Sequence, residues 1–100
     1  MKTTLIIPTL NEAESIKKVL DQIPKGEIDE ILVIDGYSTD GTADLVKKLG
    51  YPVIFQEGKG FGRAITTGIK YAKGDVVVIL NADNSHDPKD IPLQIGRAHV

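Results

Sequence analysis

Short runs of consecutive apolar residues alternate along the chain with segments in which apolar residues recur at helical spacing. The runs are continuous rather than interrupted by polar residues, which is typical of strands that are covered on both faces. The order is therefore strand, helix, strand, helix, strand, helix, strand. The predicted strands are residues 5–7, 31–34, 53–55 and 76–80, and the predicted helices are about 12–23, about 42–49 and a segment that starts after 58–62.

This order predicts an α/β fold with a doubly wound, mainly parallel sheet between helices, in three αβα layers. In such a sheet, ligands bind outside the carboxyl ends of the strands, where the strand order reverses. Nearly all of the unusual polar and glycine residues of the chain lie in the four loops that follow the predicted strands, although the first loop has no glycine. We therefore predict one site built from four loops, at residues 8–12, 35–42, 56–62 and 81–86.

The end of the chain departs from this pattern. Residues 95–100 have no periodicity, and they match what one reading frame of a common sequencing adapter would encode. We therefore expect residues 1–93 to be the folded unit and residues 94–100 to be an unstructured, artefactual tail. His99 accordingly receives no functional role.

Composition narrows the classes of function. One hundred residues with 41% hydrophobic content support a single core. A net charge of -2, with the basic residues scattered, gives no field for nucleic acid or anionic lipid. The absence of cysteine excludes disulfides and thiol chemistry and is compatible with the cytoplasm. No apolar run in the sequence is long enough to span a bilayer, and none resembles a signal peptide.

The fourth predicted strand ends in oxygen-bearing side chains, at Asn81 and Asp83, with Ser85 at a spacing that could reach the same ligand. Oxygen ligands suit Mg2+ or Mn2+, and Mg2+ typically binds one or two carboxylates together with substrate phosphates. His86 could be a further ligand or a contact for a departing phosphate. The alternative is an ordinary polar turn with a surface histidine.

The first two loops carry further candidates. Asp35, followed by Gly36, can accept hydrogen bonds from a ribose or a base, or can simply form a turn at the strand end. Asp40 is typical of a turn and cap residue for the second helix. Asn11 is predicted to cap the first helix, and Glu12 is either an acid that complements the helix dipole or a ligand contact.

The glycine-rich loop at residues 58–62 could bring backbone N–H groups to a phosphate at a helix start, aided by Lys59 or Arg63. The loop lacks the Lys-Ser or Lys-Thr pair of a P-loop. Arg63 stands where the dinucleotide-binding fingerprint requires its third glycine. Both of those motifs are therefore excluded.

Four ordered motifs, at residues 6–12, 33–42, 58–62 and 81–88, resemble those of family 2 glycosyltransferases of the GT-A fold. Within that family the chain is most similar to the dolichyl-phosphate mannose synthase group and related polyprenyl-phosphate glycosyltransferases. The resemblance implies that residues 1–93 are the Rossmann-like, nucleotide-sugar-binding half of a GT-A domain. Acceptor-binding elements, any general base and any membrane contact would then lie beyond residue 100, so we expect this fragment alone to be inactive.

The resemblance also implies roles for individual residues, and two positions depart from the family pattern. The first acid of the Asp-X-Asp metal motif is Asn81 here, which loses a charge, and Gly36-Tyr37 stands where the family usually has Asp-Gly. The implied nucleotide-binding residues are Pro8, Thr9, Glu12, Asp35, Gly36 and Lys59, and the implied metal ligands are Asp83, Asn81 and Ser85.

The implied activity is an inverting, metal-assisted transfer of a sugar from a GDP- or UDP-sugar to an acceptor, with a polyprenyl phosphate favoured. The expected location is the cytoplasm, at the cytoplasmic face of the membrane in the full-length protein. Two alternatives stay open at this point. One is a non-catalytic nucleotide-sugar-binding or regulatory module, suggested by Asn81, and the other is a flavodoxin-like interaction domain.

Overall fold

The computed structural model describes residues 2–80 and 95–97, in which five strands form one sheet between helices. The continuous apolar runs of the sequence become its strands, and the amphipathic segments become helices that cover it. The strands are β1 (Thr3–Thr9), β2 (Glu30–Asp35), β3 (Val53–Phe55), β4 (Val76–Ile79) and β5 (Ile95–Arg97). The helices are α1 (Ile16–Asp21), a 3-10 turn (Lys25–Glu27), α2 (Thr42–Lys48) and α3 (Phe61–Tyr71).

The strand order is β3-β2-β1-β4-β5, and the first four strands run parallel. The order reverses at β1, which has β2 on one side and β4 on the other. Pairing with β4 ends at Ile6, opposite Ile79, whereas pairing with β2 continues to Thr9, opposite Asp35. The last residues of β1 therefore lie at the switch point, where a ligand site is expected in this class of sheet. The predicted doubly wound, mainly parallel α/β fold is confirmed.

Two apolar cores, rather than the single core expected from composition, lie on opposite faces of the sheet, because the strands are apolar on both sides. The first core joins α1 and α2 to the sheet and contains fully buried Leu5, Ile7, Ile16 and Val46. The second core lies under α3. There Gly68 permits close helix packing, since a Cβ at this position would lie 2.7 Å from the side chain of Ile6. The result is the predicted three-layer αβα arrangement.

Three local predictions differ from the structure. Helix α1 begins at Ile16 rather than near residue 12, and Ser15 precedes it without a side-chain cap. Asn11 is not its cap: its backbone is left-handed, with φ of 55°, and its side chain bonds elsewhere. In the predicted unstructured tail, Ile95–Arg97 form a strand that pairs antiparallel with β4, so for these three residues the prediction is wrong.

Among the described residues, 2–80 and 95–97, no helix is long and apolar enough to cross a membrane.

Candidate functional site at the carboxyl edge of the sheet

Asp35, the last residue of β2, is fully buried and joins the first two loops at the carboxyl edge. Its Oδ1 accepts hydrogen bonds from the hydroxyls of Thr9 (2.8 Å) and Ser38 (2.7 Å), and its Oδ2 accepts one from the Ser38 N–H (2.8 Å). These three bonds occupy most of the roughly four acceptor positions of a carboxylate, and no part of Asp35 is exposed. The carboxylate that was predicted to bind a nucleoside therefore also holds Thr9 and Ser38 in place.

The first loop is tied to the second through its backbone N–H groups. The N–H of Asn11 donates to the Ser38 hydroxyl at 2.8 Å, and that hydroxyl donates onward to Asp35. The N–H of Glu12 donates to the Thr42 hydroxyl at 3.0 Å, and that hydroxyl donates onward to Asp40. In both connections, a hydroxyl accepts a hydrogen bond from an N–H of the first loop and donates one to a carboxylate.

Asp40 also bonds directly to the first loop. Its Oδ2 accepts from the N–H of Ala13 at 3.1 Å, and its Oδ1 accepts from the N–H of Thr42 at 3.1 Å. The hydroxyl of Thr42, with further help from these N–H groups, holds the pKa of Asp40 below its usual range. The bond to Thr42 confirms the turn predicted for Asp40, but the cap residue of α2 is Gly41 rather than Asp40. The bond to Ala13 adds a contact between loops.

The third loop is held by Gln56, which is buried just after β3. Its side-chain amide donates to the carbonyls of Gly58 (3.0 Å) and Gly60 (3.3 Å). Both glycines have positive φ, 94° and 96°, which glycine adopts without steric cost. Because peptide units are planar and trans, carbonyls that point towards Gln56 turn the following N–H groups away from it. Gln56 thus sets the shape of the glycine-rich loop.

Gln56 also reaches the second loop. A Cβ on Gly36 would lie 3.0 Å from the Gln56 side-chain oxygen and 3.4 Å from the carbonyl oxygen of Thr9. The Gly36 N–H donates to that same carbonyl at 2.8 Å. Glycine at this position therefore lets three loops meet closely.

The structure brings together several of the predicted nucleotide-binding residues. Thr9, Asp35 and Gly36 are in mutual contact, Pro8 is buried at the end of β1, and Glu12 lies in the clasped first loop. Lys59 is exposed on the neighbouring glycine-rich loop. The predicted ligands Asn81, Asp83 and Ser85, together with His86, lie outside the described residues.

Leu80 leads into those positions from the centre of the sheet. It is fully buried, and its N–H donates to the carbonyl of Ile6 at 3.0 Å, which continues the pairing of β4 with β1. No group of three or more potential metal-binding side chains occurs among residues 2–80 and 95–97.

An open groove of about 550 Å³ lies beside the first loop. Two carboxylates of opposite loops, Glu12 and Asp40, are part of its lining, along with Glu14. Its acidic lining would repel a bare diphosphate, but this repulsion is reduced when a divalent cation neutralises the diphosphate. The candidate ligand site therefore comprises the cluster of Thr9, Asp35 and Gly36, in which Thr9 and Asp35 are buried, and the groove along the first loop that Glu12 lines.

The sequence analysis missed the side chains that shape this edge. Ser38 and Thr42 bond to the first loop, 27 and 30 positions away in sequence. Gln56 bonds to the glycine-rich loop, 2 and 4 positions away. Asn11 had a usable signal, since asparagine is enriched in the left-handed conformation that its backbone adopts. The contacts of Ser38 and Thr42 with the first loop carry no local signal, whereas the partners of Gln56 are local but no sequence pattern marks a glutamine for this role.

Residues 4–99 match the sequence profile of "Glycosyl transferase family 2". The chain belongs to this family. Its similarity to individual members agrees with that assignment. It is 38% identical over 93 residues to an uncharacterised glycosyltransferase of Mycobacterium tuberculosis, covering 93% of this chain and 42% of that protein. It is 38% identical over 103 residues to a dolichol-phosphate mannosyltransferase of Pyrococcus furiosus, covering 95% of this chain and 29% of that protein.

Solved structures of the GT-A fold agree with the family assignment. The fold matches a crystal structure of glucosyl-3-phosphoglycerate synthase from Mycobacterium tuberculosis in complex with UDP. The TM-score is 0.77 at 29% identity, over 82% of this chain and 34% of that chain. Another structure of the same synthase contains Mn2+, UDP-glucose and phosphoglyceric acid. The family 2 chain described here thus spans less than half the length of each of these proteins.

Proposed function

We propose that this family 2 chain forms the nucleotide-sugar-binding half of a glycosyltransferase whose donor is a GDP- or UDP-sugar. The observation that carries the proposal is the convergence of Thr9, Asp35 and Gly36 at the carboxyl edge, at the switch point of the sheet. The UDP complex of the structurally similar synthase supports a nucleotide donor.

The site offers chemistry that suits a nucleoside. The proposed role of Asp35 is to accept a hydrogen bond from a ribose hydroxyl or a ring N–H at its remaining acceptor position, while its other bonds fix its orientation. Because the carboxylate is fully buried, this contact requires the loops around it to move when the nucleotide binds. Lys59 lies on the neighbouring loop, within a segment that could approach a phosphate. Pro8 and Glu12 complete the proposed nucleotide contacts from the first loop.

The proposed cofactor is Mg2+ or Mn2+, and the donor set fits it chemically. Asp83 supplies a carboxylate, Asn81 an amide oxygen and Ser85 a hydroxyl, all of them hard oxygen donors. Their position in sequence, directly after buried Leu80, would put them at the centre of the carboxyl edge. When bound, the cation would neutralise negative charge on the diphosphate.

The proposed reaction is an inverting displacement at the anomeric carbon of the sugar. An acceptor oxygen forms the new bond as the bond to the diphosphate oxygen breaks, and the departing nucleoside diphosphate takes the electron pair. A polyprenyl phosphate is the proposed acceptor, supported by the dolichol-phosphate mannosyltransferase relative. Such an acceptor is already an anion and needs little help from a general base. The proposed setting is the cytoplasmic face of a membrane.

The test is calorimetric titration of the full-length protein with GDP and with UDP, each with and without Mn2+. We expect one of the two to bind, and to bind more tightly when Mn2+ is present. Asp83→Ala should remove the Mn2+ dependence. Thr66→Ala, on the exposed face of α3, is the control and should leave that dependence unchanged. Absence of nucleotide binding under every condition would refute the proposal.

A non-catalytic nucleotide-sugar-binding module is the second candidate, and Asn81 is the observation that favours it, because the amide loses a charge that would hold the cation. Incubation of the full-length protein with the donor that binds and a polyprenyl phosphate separates the two candidates. A transferase releases nucleoside diphosphate and glycosylated lipid, whereas a module binds the donor without consuming it.

A further inference from the structure

Tyr37 is an exposed aromatic residue held firmly at the rim of the candidate site. Its hydroxyl donates to the backbone carbonyl of Gln56 at 2.9 Å. Its ring stacks on that of Phe55, with centroids 5.5 Å apart and planes 18° from parallel. Nevertheless 61% of the residue remains accessible. The ring is thus fixed at its tip and along one face, and it still presents a large surface to solvent.

The backbone at Tyr37 is strained. Its φ of 68° lies in the left-handed region, which is unfavourable for a bulky residue. Such conformations persist where the surroundings enforce them, and they cluster at ligand sites. Glycine would adopt the same conformation freely. A large side chain is therefore present where the backbone favours none.

Phe55, the last residue of β3, packs against one face of the Tyr37 ring. Its own ring is approached by Lys47 of α2, whose Nζ lies 5.6 Å from the ring centroid. Offset stacking of this kind stabilises an aromatic pair beyond the area it buries. The stacking contact and the hydrogen bond to Gln56 together define the orientation of the Tyr37 ring.

Tyr37 connects two parts of the candidate site, the loop after β2 and the glycine-rich loop. Tyr37 follows Asp35 by two residues, and its hydroxyl contacts the residue that shapes the glycine-rich loop. A flat, uncharged aromatic surface beside a carboxylate acceptor matches the two features by which proteins hold a nucleobase, namely stacking and hydrogen bonding.

We infer that the Tyr37 ring is a stacking surface for the base of the nucleotide-sugar donor. The inference rests on the proposed function, and it adds a residue that binds the base rather than the sugar or the diphosphate. Stacking is tolerant of base identity, because every base has a π-face. Tyr37 therefore contributes affinity for the base, and discrimination between bases belongs to hydrogen-bonding groups such as Asp35.

The test compares ligands with and without a base in the full-length protein, with Mn2+ present throughout. Tyr37→Gly removes the ring and relieves the strained φ, so the variant is expected to fold. We expect it to bind GDP or UDP about 10-fold more weakly and inorganic pyrophosphate unchanged. Tyr37→Phe, which keeps the ring and loses the hydroxyl, should retain most of the affinity for the nucleotide.

Tyr71→Ala is the matched control, since Tyr71 is an exposed tyrosine whose hydroxyl donates to Glu57 rather than to Gln56. It should leave both affinities unchanged. Equal nucleotide binding by Tyr37→Gly and the wild type would overturn the inference and leave the proposed function intact. An equal loss for nucleotide and pyrophosphate would also overturn it, because the ring would then act on the loops and not on the base. Failure of the wild type to bind either nucleotide would instead refute the proposed function.

Discussion

The two edges of the sheet use side-chain hydrogen bonds for different purposes. At the amino edge, the buried Thr4 hydroxyl donates to Glu30 at 2.8 Å and accepts from the Gly74 N–H at 2.9 Å. Glu30 also accepts from the Lys73 N–H at 2.9 Å. These bonds join strands to the segment that enters β4. At the carboxyl edge, comparable bonds join one loop to another around Asp35 and Asp40.

Backbone strain separates the edges more clearly. Among residues 2–80 and 95–97, the non-glycine residues with positive φ are Asn11 and Tyr37, and both belong to the carboxyl-edge loops. Strain of this kind must be offset by surrounding contacts, which the hydrogen bonds between loops provide. The amino edge closes the fold with ordinary backbone geometry. The carboxyl edge holds an unfavourable shape, as expected for a surface that is preorganised for a ligand.

Removing the Asp35 carboxylate should produce the largest effect, because it breaks both the fold and the site. Asp35→Ala leaves the hydroxyls of Thr9 and Ser38 and the Ser38 N–H without their acceptor in a buried position. We expect a loss of about 3 kcal/mol in the free energy of unfolding. Nucleotide affinity should fall at the same time. Denaturant unfolding and calorimetric titration of the full-length protein measure the two effects.

Asp35→Asn is the matched control for that change. Its amide oxygen can still accept from Ser38, and the two hydroxyls can rotate to accept from its NH2 group. Most of the stability should therefore return. An Asp35→Ala protein that is as stable as the wild type would show that the two edges do not differ in the way described.

A change at the amino edge should affect stability alone. A Cβ on Gly74 would lie 2.6 Å from the Thr4 hydroxyl and 2.8 Å from the Lys2 carbonyl oxygen, so the backbone must shift. We expect Gly74→Ala to cost about 2 kcal/mol in the free energy of unfolding. Gly26→Ala, where nothing lies within 4 Å of the added carbon, is the control. Nucleotide affinity of the folded Gly74→Ala protein should match the wild type, and a selective loss of affinity would contradict the separation of roles.

The same contrast explains what the sequence could predict. Strand and helix positions follow from local periodicity, so the sheet and the convergence of its first three loops were predicted correctly. Asn11 was assigned to a cap because its neighbours fit a local capping pattern. Its side-chain oxygen instead accepts from the N–H of Thr39, 28 positions away. Strand β5 was missed because a three-residue strand that depends on pairing with β4 has no periodicity of its own.

Protonation of Asp40 should give the smallest effect, at the exposed end of the connection between loops. Its pKa is lowered in the folded protein, chiefly by the Thr42 hydroxyl. The stabilisation from the charged carboxylate is therefore present above the usual pKa of an aspartate, about 3.9, and is lost as pH falls through the lower, folded value. NMR titration of the Asp40 carboxyl carbon and the Ala13 amide should give a shared midpoint below that usual value. Asp40→Asn should remove this titration from the Ala13 amide, and a midpoint above the usual value would mean that the carboxylate does not hold the first loop.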